Sequence, residues 1–158
     1  MLVALVGPPA RPRLGRDAVT GHRVFPFPRH AVRTVDVTLG ERRFGARRTT
    51  NGWEIDGQPA AHGVAVALDD LVEALVALRA LDAFRSRDGS SYGLDASRAT
   101  IALATARKTR RLEIGDTNPA GSAFYARRAG DPRVLQLGTG LLGDVERVFY
   151  NRDGPPPG

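Results

Sequence analysis

The hydrophobic residues between Gly63 and Phe84 recur at intervals of three and four, and no proline or second glycine interrupts them. This spacing lines apolar side chains along one face of a helix, and six alanines in the same stretch raise its helix propensity. We therefore predict one long amphipathic helix over residues 63–84. Its apolar stripe consists of Val64, Leu68, Leu71, Val72, Leu75, Leu78 and Leu81.

Three segments before this helix alternate between apolar and polar residues, which is the pattern of half-buried strands. They span residues 32–39, 42–49 and 53–56, and turns at Gly40 and at Asn51-Gly52 separate them. Asn-Gly favours a tight hairpin because both residues accept a positive φ. The pattern predicts a three-stranded meander whose apolar face the long helix covers.

Four further alternating segments follow the helix, at residues 97–106, 110–114, 123–128 and 133–137. A short second helix is indicated near the C-terminus by the spacing of Leu141, Leu142, Val145 and Val148. Meanders and helices are thus segregated along the chain, which predicts an α+β fold with largely antiparallel sheets. Because each half is a meander followed by a helix, we also expect an internal duplication.

A chain of 158 residues is one domain by its length and can bury a core. Residues 1–29 are rich in proline, glycine and arginine, so we predict a flexible linker there, with Phe25 and Phe27 as candidates for docking on the domain edge. The predicted domain spans 30–150, and 151–158 is a disordered tail. The apolar run Leu2–Val6 is too short for a membrane span or a signal peptide. It is a candidate remnant of a membrane anchor shortened by a misassigned start codon.

The net charge is +6, from 23 basic and 17 acidic residues, which raises the question of polyanion binding. Lys108 is the single lysine, and an arginine bias with abundant alanine is what a GC-rich genome produces by codon supply. The arginines occur as scattered pairs rather than one block. If a polyanion or partner surface exists, its candidate residues are Arg42, Arg47, Arg110 and Arg127.

The sequence predicts no catalytic residue, no cofactor and no metal site. The three histidines lack ligand spacing, and the absence of cysteine excludes disulfides and thiolate sites. Asp69, Asp70 and Glu73 fall on the polar face of the helix, so we expect them to be solvated rather than catalytic. The residues that we assign to the core are Trp53, Leu68, Leu71, Leu75, Leu78 and Tyr92.

Several short motifs succeed one another from residue 25 to about 150. They are Phe25-Pro26-Phe27, the run from Asn51 to Ala60, Tyr92-Gly93-Leu94-Asp95, the run from Leu112 to Pro119, and Phe124 to Val134. In this order, with the leucine-rich helix among them, the chain resembles the bacterial domain of unknown function 4340 family. That family occurs in membrane-anchored envelope proteins and in accessory subunits of gliding-motility-type ABC transporters.

The resemblance implies a binding or assembly domain without assigned catalytic residues, together with a protein partner such as a membrane transporter complex. It also implies a location on the periplasmic or extracytoplasmic side if an anchor precedes the chain, and in the cytoplasm otherwise. Two features depart from the family pattern. Only Leu2–Val6 corresponds to the usual anchor, and the turn at Arg107-Lys108 lacks the usual Asp-Gly.

Three functional hypotheses remain at this point. The favoured one is a non-enzymatic binding or assembly module associated with a membrane or transporter complex of the bacterial envelope. The alternative is a basic protein that binds nucleic acid or another polyanion through its arginine pairs. The third is an enzyme whose site is assembled from residues that spacing in the sequence does not connect.

Overall fold

The computed structural model describes residues 23–86 and 88–155, which form one antiparallel sheet and two helices. The strands before the first helix are β1 (Thr34–Leu39), β2 (Arg42–Thr49), β3 (Gly52–Ile55) and β4 (Gln58–Pro59). The later strands are β5 (Asp82–Arg85), β6 (Ala99–Ala104), β7 (Thr109–Thr117), β8 (Ala123–Arg128) and β9 (Arg133–Gly138). The helices are α1 (His62–Ala77) and α2 (Gly140–Asp153), and Arg29–Ala31 and Gly89–Tyr92 form 3₁₀ turns.

The strands lie in the order β4-β3-β2-β1-β6-β7-β8-β9-β5, and each neighbouring pair is antiparallel. Two meanders therefore run outward from a central pair formed by β1 and β6, in which Val37 lies opposite Ile101. The first meander is followed by α1 and the second by α2. The α+β class with an antiparallel sheet, expected from the sequence, is confirmed.

The core lies between one face of the sheet and the two helices. Alternate residues of the strands point into it, and the apolar stripe of α1 packs against them. Phe44 of β2 and Phe149 of α2 meet edge to face with their ring centroids 5.2 Å apart, which joins the sheet to the second helix. Of the core residues named from the sequence, Trp53, Leu68, Leu71 and Leu75 are buried here, and Leu78 is half-buried.

The long helix predicted over 63–84 is wrong at its C-terminal end. Helix α1 stops at Ala77, because Leu78 takes an extended conformation with φ −64° and ψ 128°. Residues 82–85 instead form β5, which pairs with β9 at one edge of the sheet. Ala83 is buried in the core, whereas Leu81 of the expected stripe is 61% exposed. Sheet pairing has overridden a helix propensity that no glycine or proline interrupts.

Two further boundaries differ from the sequence prediction. The predicted linker ends at residue 29, yet Val24, Phe25 and Phe27 are buried in the core, so the domain already includes residue 23. These apolar side chains have more surface to bury than an edge contact provides. At the other end α2 continues to Asp153, beyond the predicted start of the tail. Residues 1–22, which include the Leu2–Val6 run, and residues 156–158 lie outside the described part of the chain.

A second, smaller apolar cluster lies on the opposite face of the sheet. Tyr92 contacts Phe84 and Tyr125 through edge-to-face ring pairs, at centroid distances of 5.4 and 4.8 Å. The chain around Gly93 presses onto β7 at Gly115, where an added Cβ would lie 2.2 Å from the Tyr92 carbonyl oxygen. This close approach requires glycine at position 115. The segment after β5 is thereby held against the sheet.

Candidate functional site

The structure does not bring the four arginines named from the sequence together. Arg42 and Arg110 alternate in phase with core residues of their strands, so they lie on the helix side of the sheet. Arg47 and Arg127 have the opposite phase and lie on the outer face. Binding of a polyanion by these four residues as one surface stays a prediction, and their geometry does not support it.

Three of these four arginines already have acidic partners. Arg47 pairs with Glu54 across β2 and β3 at 2.8 Å, and Arg127 pairs with Glu113 across β7 and β8 at 3.5 Å. Arg42 pairs with Glu146 of α2 and also stacks over the Phe149 ring. Such pairs reduce the charge that is available to an external anion. Arg110 alone among the four has no ion pair within the described residues.

Positive charge is concentrated at one end of the sheet. At this end β1, β7 and β9 begin and β5, β6 and β8 finish, as the register of the antiparallel pairs requires. Two clefts open there, and the residues that line them include one carboxylate, Asp131. We call this region the basic end; its cations are Arg33, Arg85, Arg107, Lys108, Arg110, Arg128 and Arg133.

The first cleft lies beside the turn between β6 and β7 and has a volume of about 480 Å³. Apolar residues form part of its wall, namely Phe27, Pro28, Ala31 and Ala106, and the cations at its rim are Arg33, Arg107 and Lys108, with His30 nearby. We call it the turn cleft. Thr105 shapes it, because its hydroxyl oxygen accepts hydrogen bonds from the backbone N–H groups of Arg107 and Lys108. Such a hydroxyl turn replaces the Asp-Gly that the sequence lacks here.

The second cleft has a volume of about 370 Å³ and is lined by four arginines and one aspartate. We call it the arginine cleft; its charged residues are Arg85, Arg110, Arg128, Asp131 and Arg133. Each arginine lies two residues from a core residue of its own strand, so all four are on the helix side. Arg133 is directly opposite Arg85 in the sheet register. Like charges in opposed positions repel each other and destabilise the sheet.

Asp131 compensates part of this charge from the turn between β8 and β9. Its carboxylate accepts hydrogen bonds from the guanidinium of Arg133 at 2.9 and 3.0 Å and from Arg128 at 3.1 Å. The hydrogen bonds from Arg133 hold the pKa of Asp131 well below its usual range, and that from Arg128 adds to the effect. The carboxylate is therefore ionised at neutral pH and is committed to these two arginines.

One buried donor of an arginine that lines this cleft has no acceptor among the described residues. The Arg128 Nε atom is buried and has no hydrogen-bond partner among the described residues, although the Nη atoms of Arg128 reach Asp131 and the Val24 carbonyl oxygen. An unsatisfied buried donor costs about 1–3 kcal/mol. Arg85 and Arg110 likewise have no acidic partner in residues 23–86 and 88–155. The cleft thus offers more hydrogen-bond donors than the described protein uses.

The other groups considered from the sequence have ordinary structural surroundings. Asp69 accepts a hydrogen bond from the Trp53 indole N–H at 2.9 Å, and Asp70 pairs with Arg147 of α2 at 3.0 Å. Glu73 lies 3.6 Å from Arg29. These exposed carboxylates therefore connect α1 to its neighbours. His30 and His62 are exposed, and His22 lies outside the described residues.

The described residues form neither a metal site nor a membrane-spanning helix. In residues 23–86 and 88–155, no three His, Asp or Glu side chains are close enough to hold a metal ion. Over the same residues, neither helix is both long enough and apolar enough to cross a membrane.

Sequence reasoning missed Arg85, Arg128 and Arg133. Alternation in the predicted strands 123–128 and 133–137 placed Arg128 and Arg133 in phase with buried neighbours, which was a usable signal. The missing information was the pairing of β5 with β9, because residues 82–84 were assigned to the helix and Arg85 lay beyond its predicted end. Without that strand, the arginines could not be recognised as neighbours.

The comparisons with known proteins give one match. A family model described as Domain of unknown function (DUF4340) matches residues 53–143, which extend from β3 into α2. The matched segment contains all four arginines of the arginine cleft. Neither the curated proteins nor the solved structures contain a match to this chain.

Proposed function

This chain belongs to the domain of unknown function 4340 family, and we propose that it is a non-enzymatic binding or assembly module of the bacterial envelope. In this proposal it works beside a membrane complex such as a transporter, and its basic end faces an anionic membrane surface. The observation that carries the proposal is the concentration of seven Arg and Lys residues around two clefts with one carboxylate among their lining residues.

The arrangement at the basic end suits a membrane surface. Lys and Arg side chains near anionic lipids contribute about 1 kcal/mol each to membrane binding. The turn cleft places Arg107 and Lys108 on an exposed hairpin next to apolar side chains, and such a mixture matches the boundary between head groups and acyl chains. Protein partners in the same complex would then contact other surfaces of the domain.

Nucleic-acid binding is the rival use of the same charge. Proteins that bind single strands combine cations with exposed aromatic rings on which bases stack. The aromatic residue that lines the turn cleft is Phe27, and it is only 6% exposed. Its ring packs in the core instead. The burial of Phe27 therefore favours the membrane surface over nucleic acid.

Binding to lipid vesicles tests the proposal. We expect the protein to float with vesicles that contain phosphatidylglycerol and not with vesicles of phosphatidylcholine alone, and we expect binding to weaken as salt rises. The double variant R107Q/K108Q should weaken binding by about tenfold or more, since it removes two cations at the surface.

The matched control is R43Q/R98Q. It removes the same charge from the opposite end of the sheet, where Arg98 precedes β6 and Arg43 follows the first residue of β2. We expect this control to bind vesicles nearly as well as the unmodified chain. Equal losses in the two double variants would contradict a specific role for the basic end. The polyanion alternative would be favoured if the protein bound DNA or RNA more tightly than vesicles at the same salt concentration, and if R107Q/K108Q weakened that binding.

A further inference from the structure

We infer that the arginine cleft is a binding site for a multivalent oxyanion of the phosphate class. This inference extends the proposed function, because the cleft is part of the basic end. It specifies the chemical group that this end would recognise. It concerns a discrete site with its own geometry. General attraction to a charged surface would not require one.

The first support is the alignment of the arginines across the sheet. Arg85 and Arg133 are paired directly across β5 and β9, and Arg128 and Arg133 flank the turn that joins β8 to β9. Arg110 on β7 lies on the same side, two residues before Leu112, which is paired with Arg128. Four adjacent strands thus direct guanidinium groups toward one volume of about 370 Å³. Clefts of this size accommodate small ligands.

The second support is the imbalance of charge in the cleft. Among the described residues that line the cleft, four guanidinium groups stand against one carboxylate, Asp131, which leaves a formal excess of three positive charges. Asp131 is bound to Arg128 and Arg133. Arg85 and Arg110 are left without an acidic partner among the described residues, so they are available to an added anion. An anion would relieve the repulsion between Arg85 and Arg133.

The third support is the donor geometry of the guanidinium groups that line the cleft. A guanidinium group binds phosphate and carboxylate through two parallel N–H donors, and this geometry is the reason arginine prevails in oxyanion sites. A multivalent oxyanion matches the three excess charges better than a monovalent carboxylate does. For this reason we assign the cleft to a phosphate-type group.

Inorganic phosphate is the probe that tests this site. With the chain as it stands, we expect phosphate to raise the melting temperature above that in sodium chloride of equal ionic strength, and calorimetry should yield a saturable isotherm. The variants R85Q and R110Q should each weaken phosphate binding by about tenfold or more, because each removes charge-assisted hydrogen bonds. Circular dichroism of each variant checks that it is folded.

Arg111→Gln is the matched control. Arg111 neighbours Arg110 on β7, but it is exposed and projects from the opposite face of the sheet. We expect R111Q to bind phosphate as the unmodified chain does. Equal effects of phosphate and chloride, or equal losses in R110Q and R111Q, would overturn the inference.

A second arm identifies the source of the phosphate group. If lipid head groups occupy the cleft, vesicles containing phosphatidic acid will compete with inorganic phosphate, and R110Q will bind these vesicles more weakly than R111Q does. If the ligand is a soluble phosphate compound, inorganic phosphate will still bind, but the vesicles will not compete with it. Either result supports a phosphate site in the cleft. Binding to vesicles without any binding of inorganic phosphate would contradict the phosphate site but not the proposed function. Binding of phosphate without any binding to vesicles would contradict only the membrane proposal.

Discussion

Gly115 and Gly93 lie back to back where the chain after β5 crosses the outer face of the sheet. A Cβ on Gly115 would meet the Tyr92 carbonyl oxygen at 2.2 Å, and a Cβ on Gly93 would meet Asp116 Oδ1 at 2.4 Å. Gly93 also has a φ of +73°, which residues other than glycine rarely adopt. The contact between Tyr92, Phe84 and Tyr125 therefore depends on the absence of two side chains.

Gly115→Ala should destabilise the domain by about 2 kcal/mol or more, because backbone atoms cannot yield to the new methyl group. Gly143→Ala is the control. Gly143 lies inside α2, and apart from the nearby backbone of this helix no atom is within 4 Å of its Cβ position, so alanine should stabilise the protein by about 0.5–1 kcal/mol. Urea unfolding measures both variants. A Gly115→Ala variant as stable as the original chain would show that residues 89–94 move away at little cost.

Asp131 is expected to contribute to stability in a pH-dependent way. Because Arg133 and then Arg128 depress its pKa in the folded state, its contribution is complete above the unfolded pKa of about 4. The contribution is lost as the pH falls through the folded pKa. At pH 7, Asp131→Asn should reduce the free energy of unfolding by about 1–3 kcal/mol.

The difference in free energy of unfolding between the original chain and Asp131→Asn should be smaller at pH 3. At this pH the Asp131 carboxylate binds a proton in the unfolded chain but stays ionised in the folded chain. Urea unfolding at the two pH values measures this difference. An equally large difference in free energy of unfolding at pH 3 and pH 7 would mean that the two arginines do not stabilise the ionised carboxylate of Asp131.

Single residues were predicted from the sequence with uneven success, and the reasons are physical. The leucines of α1 and Trp53 were identified because periodicity reports burial directly. The partners of the arginines could not be identified, because an ion pair depends on which strands are adjacent. Thr105 was also missed. Its hydroxyl oxygen accepts hydrogen bonds from two backbone N–H groups of the turn, which in the family pattern carries Asp-Gly.

Helix α1 and strand β5 show how far periodicity can predict a single element. The apolar spacing continues smoothly from Leu75 through Leu78 and Leu81, so nothing local marks the end of the helix. The chain turns there because Ala83 and Phe84 contribute to the two faces of the sheet edge, each opposite a residue of β9. A long-range pairing of this kind leaves no signal in a window of ten residues.

Leu75→Ala tests whether α1 organises the core. Leu75 is 0% exposed and belongs to the main hydrophobic cluster, so its truncation should cost about 2–5 kcal/mol. Asp70→Ala is the control on the opposite face of the same helix, where the carboxylate forms an exposed pair with Arg147. We expect it to cost less than about 1 kcal/mol. An unchanged melting temperature for Leu75→Ala would refute the organising role of the helix.

The strand order accounts for the features of the whole molecule that the sequence did not reveal. The class and seven of the nine strands follow from alternation alone, but the pairing of β1 with β6 joins segments on opposite sides of α1 in the chain. This pairing merges the two predicted meanders into one sheet. The internal duplication stays a prediction, although both halves run outward from the central pair and then enter a helix.

The basic end is also a property of the whole sheet. Its cations come from five strands or their flanking turns, and they become neighbours only through the antiparallel order. The scattered arginine pairs of the sequence therefore gave no indication of a patch, and the net charge was a weak guide. Topology, rather than a run of basic residues, concentrates the charge.

The central position of the β1–β6 pair affects how the chain emerges from the ribosome. Strand β1 can pair with β2 at once, but its other edge stays open until β6 has been synthesised, after α1 and β5. An open strand edge is a template for pairing with other chains, and non-local pairing slows folding. The protein is accordingly most exposed to aggregation while only its first half has been synthesised. A chaperone that shields the open edge of β1 would act at that time.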